Sequence, residues 1–192
     1  MPLVIRSIIT ILVIFLIISC NGKPKSSPDG LKGTSEFVSS EAQPVKDYGQ
    51  LGFEIMSKES LCGLRIGMNM KEAGPMLGPK SSETEAEISQ VDGSKHKTVR
   101  YDTNGTEFDV IVNTDGSETI YKITATAPSS FKTMKGIGIG SSIEEVRKAY
   151  EEYIKPGESD ENFIVAGTVY GGLMFRFENG KVTSIFIGAA AE

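Results

Sequence analysis

Apolar and polar positions follow the clearest pattern in residues 136–154, GIGIGSSIEEVRKAYEEYI. An alternating apolar segment leads to Ser142, and Glu145 follows three residues later, which is the capping-box spacing of a helix start. Apolar side chains then recur at helical spacing: Ile143, Val146, Ala149, Tyr150 and Tyr153. The pattern predicts a strand end, a capped helix and a helix end before Pro156.

A similar pattern occurs earlier, in residues 63–78, GLRIGMNMKEAGPMLG. The two stretches align without gaps, so that Gly63, Ile66 and Gly67 match Gly136, Ile139 and Gly140. Asn69 takes the cap position, and Glu72 repeats the capping-box spacing. Pro75 removes a helix hydrogen bond, which predicts that this first helix is short or kinked.

Alternating sequence after each helix predicts strands. The first set is KTVRYDT, EFDVIVN and ETIYKITATA, and the second set is NFIVAGTVY, GLMFRFE and KVTSIFIGA. Residues 114–116 and Asn179-Gly180 are predicted turns, because Asn and Gly accept positive φ. The alternation breaks near Thr183-Ser184, which predicts a β-bulge.

These elements predict an α+β fold of two tandem units, residues 46–131 and 132–192. Each unit is expected to pack a short helix, or a helical hairpin, on a three- to four-stranded antiparallel sheet. Residues 48–56, YGQLGFEIM, are expected to add a lead-in strand to the first unit.

The first 19 residues are predicted to be a signal peptide, because the apolar segment 7–18 is shorter than a membrane-spanning helix. The sequence Ile17-Ile18-Ser19-Cys20 resembles the lipobox of bacterial lipoproteins. The resemblance implies cleavage between Ser19 and Cys20, and lipid on the Cys20 sulfur and usually on its amino group. The alternative is an uncleaved signal anchor in which Cys20 is incidental.

Residues 20–45 are predicted to be the lipidated cysteine and a disordered tether, since 14 of the 25 residues after Cys20 are Gly, Pro, Ser, Asn, Asp or Thr. Asn21 is not the Asp associated with inner-membrane retention. The expected location is therefore the cell envelope, at the outer rather than the inner membrane. Whether the domain faces the periplasm or the cell surface stays open.

Charge and cysteine content limit the possible functions. The 192 residues carry a net charge of −5, which argues against nucleic-acid binding because a basic face is missing. Cys62 is the one cysteine besides Cys20, and it is expected to pack as a small hydrophobe beside Leu61 and Leu64.

The order GIxIGSSxEEVxxxY followed by LxFxFxNGKVxxIxI resembles the β-lactamase-inhibitor-protein-like superfold. This group includes the small lipoprotein subunit of the outer-membrane β-barrel assembly machinery (BamE, also SmpA or OmlA). The resemblance covers residues 61–188 and implies tandem units that serve as a scaffold or a concave binding surface. The disulfides of the inhibitor proteins are missing, so β-lactamase inhibition is not carried over.

No motif assembles catalytic, metal-binding or cofactor-binding residues. The single histidine, His96, lies in GSKHKT and is interpreted as a solvated residue of a loop or strand start. Ser141 and Ser142 are explained as helix caps. The segment GIGIG lacks the remaining residues of a phosphate-binding loop.

Aromatic residues are concentrated in the predicted strands. Three tyrosines are the candidates for contact with a protein partner if they lie on an open sheet face: Tyr101, Tyr121 and Tyr170. The expected function is that of a non-enzymatic, membrane-anchored module that binds proteins or acts as a scaffold in the bacterial envelope. Two alternatives stay open: a surface lipoprotein that binds host or extracellular proteins, and a carrier of lipid or small ligands in a groove between the units.

Overall fold

Three helices are present in the computed structural model, which describes residues 46–191. They are α1 (Tyr48–Lys58), α2 (Met70–Leu77) and α3 (Ile143–Tyr150), and a 3₁₀ turn, Glu151–Tyr153, extends α3. The predicted signal peptide 1–19, Cys20 and the predicted tether 20–45 lie outside the described residues. No helix among residues 46–191 combines the length and the apolarity needed to cross a bilayer.

The sheet has eight strands, all paired antiparallel. They are β1 (Ser82–Glu83), β2 (Glu87–Ile88), β3 (Lys95–Tyr101), β4 (Thr106–Val112), β5 (Glu118–Thr126), β6 (Phe163–Thr168), β7 (Gly171–Glu178) and β8 (Lys181–Gly188). Their order is β1-β3-β4-β5-β8-β7-β6, and β2 also pairs with β3. The predicted α+β class with antiparallel strands is confirmed.

The strand predicted for residues 48–56 is wrong, because these residues form α1. Asp47 caps this helix by accepting a hydrogen bond from the backbone N–H of Gln50 at 3.1 Å. Gly52 and Ile55 form its buried face. Two glycines lower the helix propensity of this segment, so its local sequence does not predict a helix, and tertiary packing stabilises it instead.

One row of directly paired residues crosses the whole buried face of the sheet: Val99, Phe108, Ile123, Ile187, Leu173 and Ala166. Each of these side chains is at most 1% exposed. They share one core with residues of all three helices, including Ile55, Ala73 and Val146. The helices therefore cover this face of the sheet.

The two stretches that look alike in the sequence make matching turns. Gly67 and Gly140 both have positive φ, at 80° and 86°. Their N–H groups donate to the carbonyl oxygens of Ile120 in β5 and Val182 in β8, both at 2.8 Å. Both helices that follow have eight residues.

The cap residues predicted at Ser142 and Asn69 are both present, but the capping box predicted between Asn69 and Glu72 is not formed. Ser142 and Glu145 form the complete capping box. Asn69 accepts from the N–H of Lys71 at 2.9 Å, and the N–H of Glu72 binds the Asn69 carbonyl oxygen. Pro75 lies inside α2, which is as short as predicted.

The predicted β-bulge in the last strand is confirmed. Arg176 pairs with Ser184, and Phe177 pairs with Val182, which leaves Thr183 as the extra residue. An irregularity of the same kind occurs between β4 and β5, where Tyr121 is the extra residue.

Helix α1 touches the β6–β7 hairpin through backbone atoms. A Cβ on Gly52 would lie 2.1 Å from the carbonyl oxygen of Gly171, and a Cβ on Gly167 would lie 2.4 Å from the Gly52 Cα. Both distances are far below van der Waals contact. Only glycines permit this approach of the helix to the sheet.

A buried carboxylate joins α1, α3 and the connection that precedes α3. Glu59 is 3% exposed and accepts hydrogen bonds from the backbone N–H groups of Ser60 at 3.0 Å and Met134 at 2.7 Å. Its other oxygen accepts from the hydroxyl of the fully buried Tyr150 at 2.8 Å. Burial raises the pKa of the Tyr150 hydroxyl, and the Glu59 charge adds to this, so the phenol stays a donor.

Cys62 does not pack as predicted. Leu61 and Leu64 are fully buried and hydrogen-bond each other, at 2.8 and 3.1 Å. Cys62 and Gly63 are the two positive-φ residues between them, so the cysteine lies at the tip of a tight turn and is exposed.

Candidate binding surface

The face of the sheet opposite the helices changes from charged to apolar along one row of directly paired residues. The row is Arg100, Glu107, Thr124, Phe186, Met174 and Val165. Arg100 and Glu107 form an ion pair at 2.6 Å. At the other end, Met174 and Val165 are each 4% exposed although they lie outside the core that the helices cover.

An apolar groove occupies the second half of this open face, with a cavity volume of about 350 Å³. Its lining comes from β5 to β8 and the residues that follow: Lys122, Thr124, Phe163, Val169, Met174, Arg176, Ser184, Phe186, Ala189 and Ala190. The groove therefore crosses the β5–β8 pairing. We call it the open-face groove.

Residues near the C-terminus border the open-face groove. The N–H groups of Ala190 and Ala191 donate to the Val169 carbonyl oxygen at 2.8 and 3.0 Å. The Arg176 guanidinium lies over the Phe163 ring at 5.3 Å. Both contacts fix residues that line the groove.

His96 lies on the charged half of the open face, between two carboxylates. Its Nδ1 is 3.0 Å from Asp109 Oδ1, and its Nε2 is 3.1 Å from Asp92 Oδ2. The ring also stacks edge-on against Tyr121, with centroids 4.9 Å apart. Since the His96 side chain is only 15% exposed, the solvated loop histidine predicted from the sequence is wrong.

The surroundings of His96 favour its protonated form. A neutral imidazole has one N–H, so only the charged ring donates to both carboxylates. Burial lowers the pKa of His96, but the hydrogen bonds and charges of Asp109 and Asp92 outweigh it and raise that pKa overall. Lys122 Nζ lies 3.9 Å from Asp109 Oδ2, on the far side of that carboxylate.

This cluster places both ring nitrogens against carboxylates. A general base needs a ring nitrogen that faces the proton it removes. The arrangement is therefore suited to an ion pair that fixes β3, β4 and the loop before β3. In the described residues, no three or more His, Cys, Asp or Glu side chains are placed to hold a metal ion.

A second charged cluster lies near the start of α2. Lys97 Nζ is 2.6 Å from both Glu83 and Glu118. Hydrogen bonds from Lys80 and Lys97 lower the pKa of Glu83 to about 2. Lys80, Glu83 and Glu118, with Tyr101 and Met70, line a cavity of about 320 Å³, and Lys80 and Glu83 form an ion pair there at 2.8 Å.

The three candidate tyrosines occupy different environments. Tyr121 lies on the open face beside His96, and Tyr170 is 64% exposed in the β6–β7 turn. Tyr101 is 6% exposed and packs edge-on against Phe108 in the core. Because Tyr101 is buried, it offers little surface for contact with a partner.

Sequence reasoning missed the residues that form the open-face groove. Three of them are Phe163, Met174 and Phe186, which alternate with core residues in β6, β7 and β8. The sequence signal is that these strands carry apolar residues on both faces, whereas in β3 and β4 apolar residues alternate with charged ones. Strands apolar on both sides indicate a second covered face.

No family model, curated protein or solved structure matches this chain.

Proposed function

We propose that this chain is a non-enzymatic module of the bacterial cell envelope, anchored to the membrane at Cys20, that binds a protein partner or acts as a scaffold. The observation that carries the binding role is the open-face groove, an apolar surface on the side of the sheet without helices. The lipobox-like sequence ending in Ser19-Cys20 supports the anchor.

The fold of this module consists, in our proposal, of two tandem units that share one sheet. The matching turns at Gly67 and Gly140 support this, as do the bulges at Tyr121 and Thr183. The two units join where β5 pairs with β8. The open-face groove spans this junction, which is where a concave surface built from two sheets is expected.

The groove has the composition of a protein-binding surface. Aromatic and methionine side chains supply apolar contact area, and an arginine lies at the rim. Three of its apolar residues, Phe163, Met174 and Phe186, lie outside the core that the helices cover. Contact with a partner explains apolar residues at this position.

The non-enzymatic part of the proposal is supported by the geometry at His96. Its two nitrogens are 3.0 and 3.1 Å from Asp109 and Asp92, which leaves neither directed at a substrate. The buried Glu59 and Tyr150 are likewise bonded to each other.

The proposal is tested by photo-crosslinking in native envelopes. A photoreactive amino acid is placed at Thr124, which lines the groove, and at Val91, which is 63% exposed in the loop after β2. We expect a discrete protein adduct from position 124 and none from position 91. A second substitution, Ser184→Arg, fills the groove and is expected to abolish the adduct without lowering the melting temperature.

Two outcomes contradict the binding role of the groove. One is an adduct from position 124 whose yield Ser184→Arg leaves unchanged. The other is a protein that forms no adduct at position 124 although it is present at its normal level. The anchor is tested separately, by acyl labelling of the chain and of its Cys20→Ala variant.

A lipid or small-ligand carrier is the second candidate, because the groove is apolar and its volume of about 350 Å³ suits a small ligand. Native mass spectrometry of the purified chain distinguishes the two. A co-purified mass that Ser184→Arg removes favours the carrier function over the protein-binding function.

A further inference from the structure

Three exposed apolar side chains meet at the turn between β6 and β7. Val169 and Tyr170 are 37% and 64% exposed, and Phe53 of α1 is 56% exposed. A Cβ on Gly171 would lie 3.1 Å from Cε1 of Phe53, so the Phe53 ring packs against the residue that follows Tyr170. We call these three residues the apolar tip.

The turn itself does not require apolar residues. Thr168 pairs with Gly171, so Val169 and Tyr170 are the two connecting residues of a hairpin. Such positions usually hold Gly, Asn or Asp, as at Asn179-Gly180 between β7 and β8. Exposed Val and Tyr at this position therefore call for an explanation other than chain reversal.

Charge is scarce in the sequence on both sides of the β6–β7 turn, although in α1 Phe53 is followed by the exposed Glu54, which pairs with Lys58. Arg176 is the only charged residue from 162 to 177, and residues 185–191 carry no charge, although the whole chain has a net charge of −5. An uncharged turn with an exposed Tyr, beside the exposed Phe53 of α1, matches the chemistry of a bilayer interface, where aromatic rings lie at headgroup level. A membrane surface accepts such a turn without needing a complementary pocket.

The position of α1 in the chain brings the tip close to that surface. Between Cys20 and Lys46 there are 25 residues, and a flexible coil of that length would span about 27 Å. Phe53 lies seven residues further on. A tether this short holds the tip at high effective concentration near the bilayer, so that a contact too weak to bind alone becomes occupied.

We infer that the apolar tip docks on the lipid surface and thereby fixes the orientation of the domain relative to the membrane. The inference rests on the proposed anchor at Cys20. It assigns the lipid bilayer, rather than a protein, as the partner of the exposed Phe53 and Tyr170 side chains, whereas Val169 lies where the tip borders the open-face groove, which it also lines.

The test uses tryptophan fluorescence, because the chain has no tryptophan of its own. Tyr170→Trp reports on the tip, and Ile88→Trp is the matched control. Ile88 is 60% exposed and belongs to β2, which pairs with β3 at the sheet edge opposite β6. Both variants are prepared as the full lipidated chain in vesicles of phosphatidylethanolamine and phosphatidylglycerol, with or without brominated acyl chains.

We expect brominated lipid to quench the fluorescence of the Tyr170→Trp variant several-fold more strongly than that of the Ile88→Trp variant. Equal quenching, or none, in a chain that floats with the vesicles overturns this inference and leaves the anchor intact. A chain that does not float overturns the anchor as well. Circular dichroism of both variants checks that the substitutions preserve the fold.

A protein partner at the tip is distinguished in native envelopes. A photoreactive amino acid at position 170 is expected to form lipid adducts, whereas position 88 forms few. Protein adducts at position 170 in place of lipid adducts overturn the inference and assign the tip to a protein interface.

Discussion

The two faces of the sheet differ in how uniform they are. The covered face is apolar from β3 to β6, along the row that begins with Val99 and ends with Ala166. The open face is held by ion pairs in β3 and β4 and by apolar side chains in β6 to β8. The first face forms the core, and the change along the second face marks the surface that we propose binds a partner.

Helices α1 and α2 also differ in how closely they approach the sheet. Gly52 of α1 touches the backbone of β6 and β7, whereas a Cβ on Gly74 of α2 would have no neighbour within 4 Å. The same residue type is therefore a packing requirement in one helix and a cost in the other. Four predictions, in decreasing order of effect, test these differences.

The largest effect is expected from Gly52→Ala. The added methyl group meets the Gly171 carbonyl oxygen, so α1 must move off the sheet, and we expect a loss of about 3 kcal/mol in the free energy of unfolding. Gly74→Ala is the control, with an expected gain of up to about 1 kcal/mol. Denaturant unfolding of both variants measures these free energies. A Gly52→Ala variant that is as stable as the parent chain would contradict the tight contact between α1 and Gly171.

Tyr150→Phe is expected to cost about 2 kcal/mol, because it removes one of three donors from the buried Glu59 carboxylate. Leu77 takes the matching position at the end of α2 and is buried without such a bond. Thermal unfolding measures the effect. The half-buried Tyr153 provides the control Tyr153→Phe, and equal losses in both variants would contradict the role of Glu59.

His96→Gln is expected to lower the free energy of unfolding more in acid than at high pH. Because the folded state raises the His96 pKa, the ion pairs contribute fully below the unfolded pKa and lose their contribution as pH rises through the folded pKa. The groups that face or flank His96 are Asp92, Asp109, Lys122, Glu87, Lys95 and Lys97.

The measurement is the free energy of unfolding of the parent chain minus that of His96→Gln, followed to alkaline pH from about pH 5, where the carboxylates are ionised. We expect this difference to shrink as pH rises, and NMR titration of the His96 ring to give a raised pKa. A difference that grows with pH contradicts the charged ring between Asp92 and Asp109.

Glu83→Gln is expected to have the smallest effect, about 0.5 kcal/mol, since its ion pairs with Lys80 and Lys97 lie partly in solvent. The pKa of Glu83 is lowered to about 2, so its contribution is present at neutral pH. It should be lost as pH falls from about 4.5 towards 2, and high salt should weaken it. Urea unfolding at neutral and acid pH measures both effects.

Local patterns predicted the six longer strands β3 to β8, the caps at Asn69 and Ser142 and the bulge near Thr183, because each depends on neighbouring residues; the two-residue strands β1 and β2 were missed. The helix α1 was missed because its glycines serve a contact with Gly171 that lies far away in the chain. For the same reason the sequence placed His96 in solvent, since Asp109 reaches it only through the β3–β4 pairing.

The binding surface was the least predictable part. Tyr121 and Tyr170 were identified by residue type, but Tyr101 has the same type and faces the core. Which of the two alternating sets of side chains in a strand is buried depends on where the helices pack. The open-face groove also requires the pairing of β5 with β8, which joins residues such as Thr124 and Phe186 across the sheet.

The β6–β7 turn is contacted from two parts of the chain: Phe53 of α1 packs on Gly171, and residues 190 and 191 bind Val169. Helix α1 and the residues after β8 therefore meet at one turn. A short linker joining them, with new termini opened at Asn179-Gly180, would give a circular permutant that keeps the same sheet. The strand order, and not the place where the chain is cut, is what specifies this architecture.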